Sequence, residues 1–357
     1  MSVQTFGTNN ALTAKVWAEG LDAETLAKLS YRDFMGPTSD YLIREVDDLT
    51  KQPGDRVRLG VRAQLDETDA PIQGNAGLEG NEQTIDLYYD DLTLNQRRRA
   101  VRMYDVIDPQ RVSFKMREEA RSALSDQWKG TLDGDFFHQL CGNTAQDTTA
   151  LTGNHATTAP SEVIRPAGAT TDQGLSSSTY NFTLDLIDKA VEKAKTRAFL
   201  PIRPARIDAL GGELYVCFLH PYQVTSLRAS GSQWTAIQRD MLRAGDSDGK
   251  KTLIFGALGV YNGTLLVESR RVTLGVNGST DAAVSDTRRA VFAGASAIGS
   301  VTGRSGGNEE RFRWVEKHFD YDNEYGIAAG LVNGMKKLVF NSVDVGCIGI
   351  HTYAAAS

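Results

Sequence analysis

One run of apolar residues constrains this chain more than any other: Val112, Met116, Ala120, Leu124, Trp128, Leu132, Phe136 and Leu140 recur at every fourth position. Four is close to the 3.6 residues of a helical turn, so the stripe stays on one side of a rod and rotates slowly around it. Asp108 is suited to cap such a helix, and Pro109 suits its first turn, where a missing amide hydrogen costs nothing. From Pro109 to Cys141 the rod would be roughly 50 Å long at about 1.5 Å per residue. Gly130 and Gly134 each weaken a helix interior by about 1 kcal/mol relative to alanine. That permits a bend, but the stripe continues past both. A rod longer than the usual globular helix predicts a spine against which other elements pack.

The segments before the rod cannot stand alone. Leu12, Val16, Leu21, Leu26 and Leu29 recur among charges, a stripe too thin for a core, so this is an arm with helical pieces that must lie on something. In GDRVRLGVRAQL, Val57, Leu59 and Val61 alternate with Arg56, Arg58 and Arg62, as in a half-buried strand. Ile85, Leu87 and Tyr89 alternate with Thr84, Asp86 and Tyr88 in the same way. Between them lies DETDAPIQGNAGLEG, glycine-rich and acidic, without a hydrophobic period. The pair predicts a long hairpin with an irregular tip. Two strands are marginal in isolation, so this hairpin leans on its own body or on a neighbour.

After the rod, GNTAQDTTALTGNHATTAPSEVIRPAGATTDQGLSSSTYN reads as an extended or mobile surface excursion. Helix returns over 181–200, ELYVCFLHP forms a buried strand ending at Pro221, and PYQVTSLRA and SQWTAIQRDML give shorter helices. A strand runs from Thr264 to Thr273, and the chain ends in two strands divided around Asn341 to Asp344. The expected class is α+β. With 357 residues, 41% of them hydrophobic and 24% charged, the chain can bury a large core in two or three structural units.

Chemistry is sparse. The five histidines, His138, His155, His220, His318 and His351, are scattered, and no HExxH pair supplies a metal site. Cys141, Cys217 and Cys347 lie in apolar settings without a CxxC pair, which predicts buried free thiols. Carboxylates cluster at Asp66, Glu67 and Asp69, at Asp90 and Asp91, and at Asp320, Asp322 and Glu324, all in polar turn-like settings where solvated carboxylates are the ordinary outcome. DYDNEYG lacks the glycine and the glutamate that complete a calcium loop. GALGVYNG lacks the spacing of a phosphate-binding turn, and no GxSxG elbow occurs. No cofactor is expected. No stretch of 18 apolar residues is present, so no membrane span is expected.

The strongest concentration of one charge is Arg97, Arg98 and Arg99. A formal charge of -6 argues against bulk binding of a polyanion. Glu79, Glu82, Asp90 and Asp91 offer the arginines opposite-sign partners on the same or an adjoining chain, and Arg56 and Arg58 add to the same set of candidate contacts. Met116, Leu124, Trp128, Leu132 and Phe136 are the expected packing residues of the rod.

NNALTAKVWAEGL, LTKQPGDRVRLGVR, LEGNEQTIDLYYDDLTLNQRRRAV, REEARSALSDQWKGTLDGDFFHQLCGN, FLHPYQVTSLR and YGIAAGLVNGMKKLVFNSVDVGCIGI occur in an order that resembles the major capsid proteins of tailed bacteriophages, of the podophage coat type. The resemblance covers nearly the whole chain. It implies an amino-terminal arm (1–50), an extended loop (51–103), a peripheral domain with the spine helix and a polar excursion (104–179), and an axial domain with returning peripheral strands (180–357). It further implies hexamers and pentamers in an icosahedral virion capsid around double-stranded DNA, with weak nonspecific contact to that DNA and assembly in the host cytoplasm. The loop has no lysine from Gly54 to Arg102, which argues against a loop crosslink. The chain starts close to the matching arm without a long charged leader, so a separate scaffolding protein is expected, with a portal and a possible cement protein. A tail-tube or decoration protein is the alternative, and a polysaccharide hydrolase a more remote one.

Overall fold

The computed structural model of the chain describes residues 11–46, 54–62, 71–73, 77–80, 82–85, 87–105, 116–145, 155–197, 200–208, 212–229, 231, 235, 257–303, 311–321 and 323–356. The proposed cap at Asp108 and Pro109 lies outside them, as do the Asp66 to Asp69 cluster and nearly all of SQWTAIQRDML.

In chain order, helix α1 (Ala11–Lys28) precedes the short strands β1 (Met35–Gly36) and β2 (Ile43–Val46), the hairpin strands β3 (Arg56–Arg62) and β4 (Leu87–Thr93), and β5 (Asn95–Asp105). Helix α2 (Met116–Cys141) is the long rod, unbroken through Gly130 and Gly134. Beyond it come β6 (Val163–Ile164), α3 (Leu184–Thr196), β7 (Ala205–Ile207), β8 (Gly212–Leu219) and α4 (Pro221–Ala229). The rest is strand: β9 (Ala257–Tyr261), β10 (Thr264–Glu268), β11 (Gly275–Val276), β12 (Ala283–Val284), β13 (Thr287–Ala293), β14 (Ile298–Thr302), β15 (Phe312–Phe319), β16 (Glu324–Lys337), β17 (Val339–Phe340), β18 (Val343–Asp344) and β19 (Cys347–Tyr353). The strand expected to reach Thr273 stops at Glu268, because the chain turns at Ser269, whose carbonyl accepts the Val272 amide.

Two sheets organise the molecule. The first runs β1-β2-β14-β16-β15, with β5 on the other edge of β16; the second runs β6-β19-β13-β8-β10-β9, with β7 added to β8. Helix α2 joins them. Ala120, Leu124, Trp128, Leu132, Phe136 and Leu140 are all buried, while the Met116 side chain lies outside the described set. Trp128 meets Phe312 of the first sheet edge-on at 5.4 Å. Phe136 and Phe137 both meet Phe218 of the second sheet edge-on, at 5.6 and 5.5 Å, and Tyr31 stacks on Phe136 at 4.5 Å. Edge-to-face and offset pairs of this kind add to what area burial alone supplies. A second core lies between α3, α4 and the opposite face of the second sheet, and a small third core gathers Leu59, Leu92, Val301, Leu338 and Phe340 at the root of the hairpin.

The two halves of α2 differ in their surroundings. Ala123, Asp126 and Gln127 are exposed, whereas from Thr131 to Cys141 every residue except His138 is buried. Burial on all sides forces the polar residues of TLDGDFFHQLC to find partners. Asp133 accepts hydrogen bonds from the Ser30 amide and hydroxyl, and the Gln139 side chain donates to the His155 carbonyl. On the exposed half, Lys28 of α1 reaches Asp126 at 2.7 Å and Arg121 pairs with Glu24, while Leu21 is fully buried beneath them. The described part of the arm thus lies on its own rod.

The excursion after α2 is more firmly held than its composition suggests. Asp172, within it, is only 2% exposed and receives four partners. Its carboxylate accepts from Arg165 (2.8 Å), Arg289 (2.9 Å), the Val276 amide (3.0 Å) and His351 Nδ1 (2.7 Å), and Arg289 also donates to the Gly142 carbonyl. Because a carboxylate only accepts, Nδ1 carries the hydrogen. Nearby, the fully buried Lys337 uses all three donors, on Asp344 and on the carbonyls of Thr158 and Ala159.

Burial holds His351, His220 and His138 down to about 4. A histidine whose folded value is depressed contributes stability above its unfolded value near 6.5 and loses it as pH falls towards 4. For fully buried His351 the ceiling is roughly 3 kcal/mol. Asp135 opposes this: burial raises it to about 6 against the pull of Arg97, so its penalty fades over the same descent. Burial raises Asp22 and Asp133 in the same sense as Asp135 and lowers His155 as it does the other three, and the large shifts of the three histidines held near 4 set the balance. Urea midpoints of unassembled chain are therefore expected to fall between pH 7 and 4.5, and a midpoint that is flat or rises would remove the histidines from this role.

Candidate functional site

The hairpin is where the molecule departs from a closed globule. At its root, Leu59 and Leu92 are buried against Val301, Leu338 and Phe340. The crossing is tight: a Cβ on Gly334 would sit 2.1 Å from the Thr93 carbonyl oxygen, and one on Gly299 2.9 Å from Leu92. Asp90 fixes the root by accepting from Lys336 Nζ and from the Val339 amide.

Outward from the root the core stops. Leu87 is 73% exposed, Tyr89 60%, Ile85 54% and Leu78 68%. Arg58 donates to both oxygens of Asp91, at 2.8 and 3.2 Å, and lies 4.1 Å over the Tyr89 ring, while Arg56 reaches the same carboxylate at 3.4 Å. These contacts stiffen one face of the ribbon and cover part of the Tyr89 ring, but leave Leu87, Ile85 and Leu78 exposed. At the tip, Glu79 and Glu82 are exposed; Glu82 accepts from the Gly80 amide, and neither forms an ion pair among the described residues.

The arginine triplet is divided by strand geometry. Successive residues of β5 face opposite ways. Arg97 turns inward to Asp135 of α2 and to Asn333, whose Oδ1 it meets at 2.9 Å. Arg99 turns inward too, donating to Thr131 at 2.7 Å and approaching the Trp128 ring at 6.0 Å. Arg98 points to the outer face and is exposed. Within the chain, then, Asp91 serves Arg56 and Arg58, Asp90 serves Lys336, and the triplet is not one patch. Sequence reasoning missed Asp135 and Asn333 as partners. The period-two pattern of RRRAVR was the available signal.

No group of three or more His, Cys, Asp or Glu that could hold a metal ion occurs among the described residues. Cys141, Cys217 and Cys347 are free and buried, and burial raises all three thiols, that of Cys347 to about 12. Thiols held protonated in this way are poor nucleophiles. His220 Nδ1 accepts the Tyr222 amide at the start of α4, His155 accepts the Thr93 amide, and Glu324 pairs with Arg102. No described helix is long and apolar enough to cross a membrane.

A body closed around shared cores, carrying a projection whose apolar side chains stay more than half exposed, fits a structural subunit completed by contact with other protein. The chain belongs to the phage capsid protein family, whose model matches residues 5–356. It is 26% identical over 362 residues to the major capsid protein of Pseudomonas phage KPP25, covering 90% of each. Among solved structures it is similar to the capsid of Ralstonia phage GP4, with a TM-score of 0.78, 26% identity and 99% of both chains covered. The capsid of cyanophage Pam1 shares the fold at a TM-score of 0.66 and 17% identity, over 93% of this chain and 94% of that one.

Proposed function

We propose that the chain is the major coat subunit of a tailed-phage head, assembling into hexamers and pentamers of an icosahedral shell around double-stranded DNA. The observation that carries this reading is the exposed apolar flank of the hairpin, Leu78, Ile85, Leu87 and Tyr89, on a chain whose other large side chains are mostly buried. Large apolar side chains left exposed together on one projection mark a site of protein contact. In this reading 51–103 is the extended loop, α2 the spine of a peripheral domain that includes the returning strands β14 to β16, and the second sheet the axial domain. The arm, 1–50, braces the spine through α1 and leads towards a neighbour. A separate scaffold, a portal and a cement protein are the expected partners, contact with the DNA is weak and nonspecific, and assembly takes place in the host cytoplasm. Repeated self-contact, not turnover, is the mechanism: many modest interfaces close a symmetric shell.

Purified chain viewed by electron microscopy tests the class directly, with shells or regular capsomers as the expected result. The double variant Leu87→Ser, Tyr89→Ser is expected to leave unfolding within about 0.5 kcal/mol of the parent, as for exposed positions generally, while capsomers disappear. Normal capsomers from that variant would take the hairpin flank out of the assembly.

A further inference from the structure

Asn-Gly is a dipeptide prone to attack of the backbone amide on the side-chain amide, because glycine puts no side chain in the way. It occurs three times in this chain, at Asn262, Asn277 and Asn333. The fold sets the three in different surroundings. Asn277 opens the turn between β11 and β12: its amide donates to the Ala282 carbonyl at 2.8 Å, and its carbonyl accepts from the Asp281 amide at 2.9 Å. Its side-chain Oδ1 accepts from the Ser279 amide at 2.9 Å and from the Thr280 amide at 3.3 Å. Gly278, Ser279 and Thr280 are exposed. Nothing lies within 4 Å of where a Cβ on Gly278 would sit, and the Gly278 amide makes no hydrogen bond among the described residues. A free backbone nitrogen thus stands beside an amide whose oxygen is held by two donors.

Two N–H groups on one oxygen draw electrons from Cγ and stabilise the negative charge that builds on Oδ1 when a nucleophile adds there, as paired donors do in acyl transfer. The other two sites are held back. Asn262 donates through Nδ2 to Asp188 at 2.8 Å, so the nitrogen that must leave is tied to a carboxylate. Asn333 is 6% exposed inside β16, between Thr302 of β14 and Asn95 of β5, and Gly334 is pressed against the Thr93 carbonyl. Arg97 meets the Asn333 Oδ1, but a strand paired on both sides cannot bend to close a ring, and burial keeps water out.

We propose that Asn277 is a site of self-modification. Water or hydroxide takes the proton of the Gly278 amide, the Gly278 nitrogen bonds to Asn277 Cγ, and the Cγ–Nδ2 bond breaks. The leaving nitrogen takes up a proton from water and departs as ammonia, leaving a succinimide. Water then opens the ring at either carbonyl, to aspartate or to an isoaspartate in which the chain runs through the former side chain. Either product adds a carboxylate beside Asp281, whose own carboxylate accepts from Thr144 just past the end of α2 at 3.2 Å. The chemistry is independent of the coat reading.

Full-length chain incubated in mildly alkaline buffer, with and without urea, then cut with trypsin and weighed by mass spectrometry, supplies the test. In the folded chain, acid is expected to appear in peptide 272–288 at least about tenfold faster than in 252–270 or 318–336, which hold Asn262 and Asn333. In urea the three rates are expected to converge. Ser279→Pro, which removes the shorter of the two donors, is expected to slow Asn277 about fivefold in the folded chain and not in urea. Conversion of Asn262 or Asn333 as fast as Asn277 in the folded chain, or a proline variant that converts at the parent rate, overturns the assignment.

Discussion

Asp172→Ala is expected to destabilise the chain by roughly 4 to 5 kcal/mol, the upper end of what breaking a buried ion pair costs. The size follows from what remains: two guanidinium groups, Arg165 and Arg289, and a neutral His351 would all face a void where one carboxylate accepted from each of them. Burial alone would raise that carboxyl. The hydrogen bond from His351, the charge of Arg289 and the Val276 amide outweigh it and hold the group well below the usual carboxylate range. A depressed acid contributes stability above its unfolded value and loses it only as pH falls below about 3.8. Asp172→Asn keeps the shape without the charge and should be nearly as damaging, because amide nitrogen would face an arginine. Urea denaturation of both variants at neutral pH checks this, and a loss under about 1 kcal/mol for Asp172→Ala would show that the excursion is held by something else.

Arg97→Ala is expected to cost about 3 to 4 kcal/mol, whereas Arg98→Ala, one residue along, should be within about 0.5 kcal/mol of the parent. The two side chains are identical and adjacent; only the face differs. Loss of Arg97 removes the cation beside Asp135, whose side chain is 1% exposed and whose carboxyl burial already pushes up to about 6. Without that cation it rises further and takes up a proton at neutral pH. Asn333 loses its donor as well. Amide exchange along β5 gives a second readout, with protection dropping for Arg97→Ala and unchanged for Arg98→Ala. Equal effects from the two substitutions would mean that the inward pairing with α2 does not hold the strand.

Elements with a strong period were legible in the sequence. The fourfold stripe marked α2 through Leu140, the alternation of Val57 and Leu59 with arginines marked β3, and ELYVCFLHP marked β8, which ends at Leu219, two residues before the expected Pro221. Long-range pairing was not legible. The excursion is rich in Thr, Ser and Gly, and nothing local reveals that Asp172 is covered by residues more than a hundred positions away, Arg289 and His351. Arg97 to Arg99 looked like one basic patch because charge was counted along the chain rather than across the two faces of a strand.

The same alternation gives β5 a way to reject its own mistakes. A slip of one residue against β16 would send Arg97 and Arg99 out to solvent, press Arg98 and Ala100 onto the helix, and strand Asp135 in the interior with no cation. A product manufactured in many interchangeable copies must discard misthreaded ones before they join, and here a folding error carries its own large penalty instead of passing unnoticed into the finished lattice.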